Sequence, residues 1–143
     1  VRPLQNELRL IMWKYCGVIK DKELLSEGLK KIKKIKIKLK DVDVRIDEYN
    51  CEDLALIFDL QSSLMSAEAT IISAIERNES RGAHQRSDFP EIDSFCQFNI
   101  LVRLNKNNNL EIFKVPLKPL NQNLQSIIEG STLQEDIKNK LLE

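Results

Sequence analysis

Residues 77–90 read RNESRGAHQRSDFP. This stretch holds three arginines, the only histidine of the chain and two acidic residues. It follows a long segment with helical spacing, and Gly82 can supply the left-handed conformation that commonly ends a helix. Arginine forks can bind carboxylates or phosphates through two parallel hydrogen bonds. We therefore expect Arg81, His84 and Arg86 to lie together at the surface, where the helix ends, as a polar contact for a partner.

Two alternatives remain open for these side chains. Arg81 and Arg86 can instead pair within the chain, with the carboxylates of Glu79, Asp88 or Glu91. His84 can act as a general acid or base, or it can pin the loop structurally, which we favour. The two neighbouring arginines should lower its pKa, because they disfavour a second positive charge.

Three amphipathic helices are predicted before this stretch. The first has its apolar residues at helical spacing: Leu4, Leu8, Ile11, Met12 and Tyr15. The second, capped by Asp21, has the stripe Leu24, Leu25, Leu29, Ile32, Ile35 and Leu39. The third, capped near Asn50, has the stripe Leu54, Ile57, Phe58, Gln61, Leu64, Met65, Glu68, Ile71, Ile72 and Ile75. Pro3 suits the first turn of the first helix, and Gly17 suits the position just past its end. We expect a mainly α fold, with an antiparallel three-helix bundle, similar to a spectrin repeat, over residues 1–92.

A lysine run occupies residues 30–40, with seven lysines in eleven residues. It could form a patch for nucleic acid or an anionic membrane, or a strand where residues 35–39 alternate. We favour the solvated face of a helix. No aromatic residue is interleaved for base stacking, and the whole chain has a formal net charge of zero. We therefore expect no nucleic-acid partner.

The hydrophobic period changes after Pro90 from that of a helix to that of a strand. Residues 98–104 alternate, residues 106–109 read KNNN and suit a turn, and residues 111–117 alternate on the return. A two-residue turn would pair Val102 with Phe113, Ile100 with Val115 and Phe98 with Leu117. We expect residues 93–143 to form this β-hairpin and a short helical tail, interrupted at Gly130, packed on the bundle.

Composition limits the possible functions. The chain has 143 residues, which suits one modest domain, and no apolar run long enough to span a membrane. We expect no signal peptide, and the start at Val1 suggests a fragment of a longer protein. Three scattered cysteines indicate reduced, buried thiols and a cytoplasmic location rather than disulfides or a zinc site: Cys16, Cys51 and Cys96. None of the four glycines forms a phosphate-cradling motif. We therefore expect no catalytic residue, metal site or cofactor site in this chain.

Residues 77–90 resemble a signature of one flavoprotein family, R-x-E-S-R-G-x-H-x-R-x-D-F/Y-P. The matching positions are Arg77, Glu79, Ser80, Arg81, Gly82, His84, Arg86, Asp88, Phe89 and Pro90. Residues 8–20, LRLIMWKYCGVIK, are similar to the family's L-x-x-x-M-W-x-x-C/V-G-V/I-x-R start, with Lys20 in place of the usual arginine. The family is the C-terminal helical domain of succinate dehydrogenase, fumarate reductase and L-aspartate oxidase flavoproteins.

The resemblance implies a parent chain with an FAD domain and a capping domain upstream, where the catalytic residues lie. The parent would oxidise succinate or L-aspartate, or reduce fumarate, and this domain alone would be inactive. Ala83 and Arg86 look more like the succinate and fumarate branch. The implied interdomain contact comprises Arg77, Glu79, Ser80, Arg81, His84, Arg86 and Asp88. The implied partners are the FAD domain and an iron–sulfur subunit, with the parent peripheral on the cytoplasmic side of a membrane. The competing hypothesis is a stand-alone interaction module that uses its lysine-rich face.

Overall fold

A computed structural model describes residues 1–44 and 51–129. Its elements, in chain order, are α1 Arg2–Tyr15, β1 Ile19–Lys20, α2 Lys22–Lys38, a 3-10 turn Leu39–Asp41, α3 Glu52–Glu76, β2 Gln85–Arg86, β3 Phe98–Leu104, β4 Leu110–Pro116 and α4 Gln122–Glu129. The predicted mainly helical fold with an antiparallel hairpin is confirmed. The cap predicted near Asn50 and the tail beyond residue 129, including Gly130, lie outside the described residues.

α1 begins and ends as the sequence predicts, and α2 begins as predicted. Asp21 caps α2, since its Oδ1 accepts a hydrogen bond of 2.7 Å from the backbone N–H of Leu24. α1 carries Pro3 in its first turn and ends at a Cys16 cap. A side chain on Gly17 would come within 2.8 Å of the Trp13 carbonyl oxygen, so the chain can leave α1 here only with glycine.

Three helices contribute to one apolar core. Its buried members are Leu8, Ile11, Leu25, Ile32, Ile35, Leu60, Leu64, Ala67, Ile71 and Ala74. Burying each large aliphatic side chain contributes about 1.5–3 kcal/mol. Gly28 lets α1 approach α2 closely, because a Cβ there would lie 2.7 Å from the Cβ of Tyr15. The inward stripes predicted for α1 and α2 therefore pack as expected.

The lysine run is helical up to Lys38, so the strand alternative is wrong. Ile32 and Ile35 are fully buried, while Lys33 and Lys34 point to solvent. Two other lysines of the run pair with neighbouring helices: Lys36 with Glu68 of α3, and Lys38 with Glu7 of α1 at 3.0 Å. The run is thus the outer face of an amphipathic helix, as predicted.

The buried face of α3 differs from the predicted stripe. Phe58 and Met65 are 59% and 41% exposed, although the sequence placed them inside. Leu60, Ala67 and Ala74 are buried instead. These residues, with Leu64 and Ile71, recur every three or four positions on one face. The two alanines allow close packing, and apolar bulk alone therefore misidentified the face.

The register of the hairpin differs by one residue from the predicted register, which was wrong. Val102 lies opposite Ile112, Ile100 opposite Lys114 and Phe98 opposite Pro116. The cause is a three-residue loop, residues 106–108, closed by hydrogen bonds from Asn108 N to Asn105 O at 3.0 Å and from Asn105 N to Asn109 O at 2.9 Å. Asn108 has φ of 58°, the left-handed residue that follows a type I turn in such loops.

The shifted register divides the apolar residues between the two faces of the hairpin. Directly opposed residues share a face, so Phe113 and Val115 lie on the face of Leu101 rather than that of Val102. All three are exposed, at 37%, 44% and 52%. The hairpin is attached to the end of α3 by an ion pair of 2.7 Å between Lys114 and Glu76.

Candidate functional site

The signature loop, residues 77–91, begins directly after α3. The helix ends at Glu76, and Arg77 already has an extended conformation, with φ of −90° and ψ of 102°. Gly82 has the predicted positive φ, 57°, but it does not cap the helix. It lies in a tight turn closed by hydrogen bonds from Arg81 N to His84 O at 2.8 Å and from His84 N to Arg81 O at 3.0 Å.

The side chain of Arg86 provides the cap for α3. Its Nη1 donates to the carbonyl oxygens of Ala74 at 2.7 Å, Arg77 at 3.2 Å and Ile75 at 3.3 Å. These groups lie at the end of the helix, where backbone carbonyls lack helical partners and the dipole favours a positive charge. Arg86 is only 1% exposed, so the prediction that it lies at the surface beside Arg81 and His84 is wrong.

Asp88 neutralises the buried guanidinium of Arg86. The distances are 2.7 Å from Nε to Oδ1 and 2.7 Å from Nη2 to Oδ2. Asp88 Oδ2 also accepts a hydrogen bond of 3.0 Å from the backbone N–H of Lys22, the first residue of α2. The hydrogen bonds from Arg86 are the main reason why the pKa of Asp88 falls to about 2. Phe89 covers the guanidinium, with its ring centroid 5.0 Å away.

Glu79 organises the other half of the loop. Its side chain is fully buried, and it accepts hydrogen bonds from Arg81, with Nε 3.0 Å from Oε1 and Nη2 3.0 Å from Oε2. Arg77 Nη1 lies 2.6 Å from Oε1, and the backbone N–H of Asp93 donates to Oε2 at 3.1 Å. The hydrogen bonds from Arg81 lead the effects that lower the pKa of Glu79 to about 2, against the opposing effect of burial.

Ser80 closes the loop between these two arginine clusters. Its Oγ accepts a hydrogen bond of 2.8 Å from the backbone N–H of Arg86 and donates to the carbonyl oxygen of Phe89, also at 2.8 Å. Its own backbone N–H donates to Glu91 O at 3.0 Å. Pairing of Arg81 and Arg86 within the chain, one of the two alternatives drawn from the sequence, is therefore what the structure shows.

His84 is half-buried, and its Nε2 lies 3.2 Å from the carbonyl oxygen of Arg77. A carbonyl oxygen only accepts, so Nε2 carries the proton in this contact. Burial is the largest cause of the lowered pKa of His84, and the positive charges of Lys20, Arg86 and Arg77 add to it. The sequence predicted the direction but named Arg81 as a cause. The neutral imidazole holds the tight turn against the end of α3.

A short parallel pairing joins the signature loop to the exit of α1. Ile19 pairs with Gln85 and Lys20 with Arg86, and the backbone N–H of Ser87 donates to Lys20 O at 2.9 Å. Only two residues pair on each side, too few for any periodic pattern to reveal. The likeness of residues 8–20 to a family motif was the only signal in the sequence that this segment matters.

The pairing places exposed apolar residues beside the tight turn. Trp13 is 84% exposed and Val18 is 72% exposed. Both line an open groove of about 1110 Å³ together with Ala83 and His84. We call these four residues the turn face.

In residues 1–44 and 51–129, no three His, Cys, Asp or Glu side chains come together in a way that could hold a metal ion. Cys51 is exposed, contrary to the prediction, while Cys16 and Cys96 are partly buried. Burial is the main cause that raises the pKa of both partly buried thiols, which opposes their use as nucleophiles. Across these same ranges, no helix is both long and apolar enough to cross a membrane.

Comparison with known proteins agrees with this architecture. The family model described as "Fumarate reductase flavoprotein C-term" matches residues 5–129. An uncharacterised FAD-dependent oxidoreductase of Methanocaldococcus jannaschii is 35% identical over 100 residues, covering 70% of this chain and 18% of that protein. L-aspartate oxidase of Pyrococcus horikoshii is 35% identical over 85 residues, covering 59% of this chain and 14% of that protein.

The solved structures agree as well. The E. coli quinol fumarate reductase superposes with a TM-score of 0.75 and 26% sequence identity, covering 84% of this chain and 21% of that chain. The chain spans less than a fifth of the length of the two curated relatives named above, 18% and 14%. It belongs to the C-terminal domain family of succinate dehydrogenase, fumarate reductase and L-aspartate oxidase flavoproteins.

Proposed function

We propose that this chain is the C-terminal domain of an FAD-dependent flavoprotein subunit of the succinate dehydrogenase and fumarate reductase type. Its role is to pack against the FAD domain of the same polypeptide. The observation that carries the proposal is the construction of the signature loop. Four of its side chains are largely or fully buried and form hydrogen bonds to one another or to the backbone: Arg77, Glu79, Ser80 and Arg86. They hold a small exposed turn in one conformation.

The turn face supplies the contact surface. A tryptophan that is 84% exposed leaves a large apolar ring in water, which is unfavourable unless a partner covers it. Trp13 and Val18 lie beside the rigid turn, so a partner can bury them without ordering a mobile loop. We propose that Arg81, His84 and Asp88 form the polar edge of this contact. The buried signature residues act by holding them in place.

The chemistry would belong to the FAD domain. FAD accepts or donates a hydride when it is bound there. The glycines of the described residues are far apart in the fold and form no glycine-rich loop: Gly17 follows α1, Gly28 is inside α2 and Gly82 is in the tight turn. The contribution that we propose for this chain is packing.

The same proposal divides the chain into two parts. Residues 1–92 would form an antiparallel three-helix bundle with the signature loop at its end, and residues 93–143 would form the hairpin and tail packed on it. The shared core of α1, α2 and α3 supports the first part. The ion pair between Lys114 and Glu76 supports the packing of the second.

We further propose a cytoplasmic parent protein, peripheral at a membrane, with an iron–sulfur subunit as its second partner. The three free cysteines suit a reducing compartment. L-aspartate remains the alternative substrate, because L-aspartate oxidases are among the similar proteins.

A test of the packing role needs the longer protein. Trp13→Ala should lower its thermal stability and its retention of FAD, because the variant removes apolar area from the contact. Phe58→Ala is the matched control, since Phe58 is a 59% exposed aromatic residue of α3 that does not line the groove. Equal effects of the two substitutions, or none from either, would overturn the proposed contact.

Activity assays on the same protein test the chemistry. Oxidation of succinate or reduction of fumarate is expected, and oxidation of L-aspartate alone would assign the alternative. The 143-residue chain by itself should retain no FAD and turn over none of these substrates. Salt-sensitive binding of nucleic acid by that chain would instead support the interaction module with a lysine-rich face.

A further inference from the structure

A second groove lies between α1 and α2, on a part of the surface that the turn face does not include. It has a volume of about 260 Å³ and is lined by four lysines and one glutamate around an apolar floor. The floor consists of Leu10, Ile11 and Tyr15. Ile11 is 6% exposed, whereas Leu10 is 69% exposed, so the groove runs from the core edge to solvent. We call it the lysine groove.

The two ends of the lysine groove differ in charge. At one end, Glu7 forms an ion pair with Lys38 at 3.0 Å, which neutralises that end. At the other end, the ammonium groups of Lys14 and Lys31 lie 5.4 Å and 5.5 Å from the centroid of the Tyr15 ring. Both ammonium groups therefore lie beside the same aromatic ring and line the same groove. Their positive charges favour the binding of an anion at this end of the groove.

The described residues provide little to neutralise this positive end. The carboxylate nearest Lys31 is Glu27, at 3.8 Å, which Lys30 approaches at the same distance. Lys34 also lines the groove, one helical turn from Lys31, and no carboxylate in residues 1–44 or 51–129 pairs with it. Lys14, Lys31 and Lys34 therefore present three ammonium groups to a ligand from solvent, of which Lys31 also shares Glu27 with Lys30.

We propose that the lysine groove binds a small soluble anionic amphiphile, with a carboxylate or phosphate head and one short apolar chain. The head would bind at Lys14, Lys31 and Lys34, and the chain would lie over Leu10 and Ile11. The volume falls below the roughly 300–1,000 Å³ of sites for drug-sized ligands, which limits the ligand to a single short chain. The floor of the groove is concave and lies between two helices, so it fits one short apolar chain better than it fits the flat surface of a bilayer.

The proposal does not depend on the flavoprotein assignment, and it is tested on the full 143-residue chain. The probe is n-octyl phosphate below its micelle concentration, followed by calorimetry and by amide chemical shifts. Octyl phosphate should bind and shift the amides around Leu10, Lys14 and Lys34. Inorganic phosphate and 1-octanol, which carry only the head or only the chain, should bind more weakly.

Matched variants locate the site. Lys34→Gln should weaken binding about 2- to 5-fold, the range expected for losing one exposed charge pair. Lys33→Gln is its control, since Lys33 is an exposed neighbour on α2 that does not line the groove. Leu10→Gln should also weaken binding, whereas Ile37→Gln, at a 65% exposed position of α2 outside the groove, should not.

Three results would overturn the proposal. One is the absence of octyl phosphate binding while circular dichroism shows a folded chain. Another is an equal loss for Lys33→Gln and Lys34→Gln, which would indicate a diffuse charge effect. The third is binding only to vesicles that contain anionic lipid, which would assign the lysines to a membrane surface instead.

Discussion

The carboxylate of Asp88 accepts two hydrogen bonds of 2.7 Å from the guanidinium of Arg86, while each side chain also binds the end of a different helix. Arg86 binds the carbonyl oxygens that end α3, and Asp88 binds the first N–H of α2. The pair therefore places a positive charge at a helix C-terminus and a negative charge at a helix N-terminus, which is the favourable arrangement at both ends.

Arg86→Ala should destabilise the chain by about 3–5 kcal/mol, because it removes a buried guanidinium, leaves the 30% exposed Asp88 without its partner and leaves helix-end carbonyls without a donor. Urea denaturation followed by circular dichroism measures this. Arg9→Ala is the control and should stay within about 0.5 kcal/mol, since Arg9 is exposed and makes one long hydrogen bond of 3.4 Å to Asn6. Similar midpoints for the two variants would show that Arg86 does not cap α3.

Arg81→Ala should lower the free energy of unfolding by less than Arg86→Ala does. The loss should still exceed the value that is typical of an exposed ion pair. The Arg81 side chain is 48% exposed, but its partner Glu79 is fully buried. Loss of two hydrogen bonds to a buried charge costs about 1–3 kcal/mol, at the lower end here because Arg77 still binds Glu79. A cost indistinguishable from zero in the same denaturation experiment would contradict this account of Glu79.

Stability should fall with acid through the two loop carboxylates. The pKa of Glu79 is lowered from 4.5 to about 2, and that of Asp88 from 3.8 to about 2. A lowered pKa in the folded state stabilises the fold above the unfolded value, and this stabilisation is lost as pH falls toward the folded value. The free energy of unfolding should therefore decline between about pH 4.5 and pH 2. Glu79→Gln should be less stable at neutral pH and show a flatter decline, and parallel curves for wild type and variant would exclude this role.

The stability of the hairpin should depend on which residue occupies position 108, because Asn108 has a positive φ of 58°. Asn108→Gly should leave stability equal or higher, because glycine adopts this conformation freely. Asn108→Val should lose about 1–2 kcal/mol, because a β-branched residue is strained there. Nuclear Overhauser contacts between Leu101 and Phe113 would verify the register, whereas contacts between Val102 and Phe113 as directly opposed residues would restore the two-residue turn.

Two neighbouring positions of the lysine run, Ile32 and Lys33, differ in burial, and their substitutions should therefore differ in their effect on stability. Ile32→Ala should cost about 2–5 kcal/mol, because Ile32 is fully buried in the core. Lys33→Ala should stay within about 0.5 kcal/mol, because Lys33 is exposed. Equal costs in thermal denaturation would mean that the inward face of α2 has been assigned wrongly.

The sequence predicted the helices well because their apolar stripes are local. It failed where a long-range contact decides the outcome. Ala67 and Ala74 are buried core residues, and their small size hides this in a hydrophobicity pattern. The end of α3 is set by a side chain ten positions further on, Arg86, rather than by the glycine that local rules favour. The hairpin register depends on a turn one residue longer than the shortest that the pattern permits.

The candidate site was predicted as a set of residues but not as an arrangement. A family signature shows which side chains matter together, and it does not distinguish those that face a partner from those that hold the loop. Only the burial of each side chain separates the two groups, because the sequence does not show whether an arginine is paired within the chain or free to contact a partner. Glu79 and Arg86 are therefore internal supports, while Arg81 and His84 remain at or near the surface.

The two-residue pairing of Lys20 with Arg86 has a consequence for the order of folding. It joins positions 66 residues apart, and closing so long a loop costs more entropy than two strand residues recover. The pairing can therefore form only after the helices between them have packed. On this view the two-residue pairing forms last and opens first, while the contacts of Arg86 with the end of α3 are local. Amide exchange should find Ser87, whose backbone N–H donates to Lys20 O, less protected than Ile71, so this pairing would report that the helices have already packed.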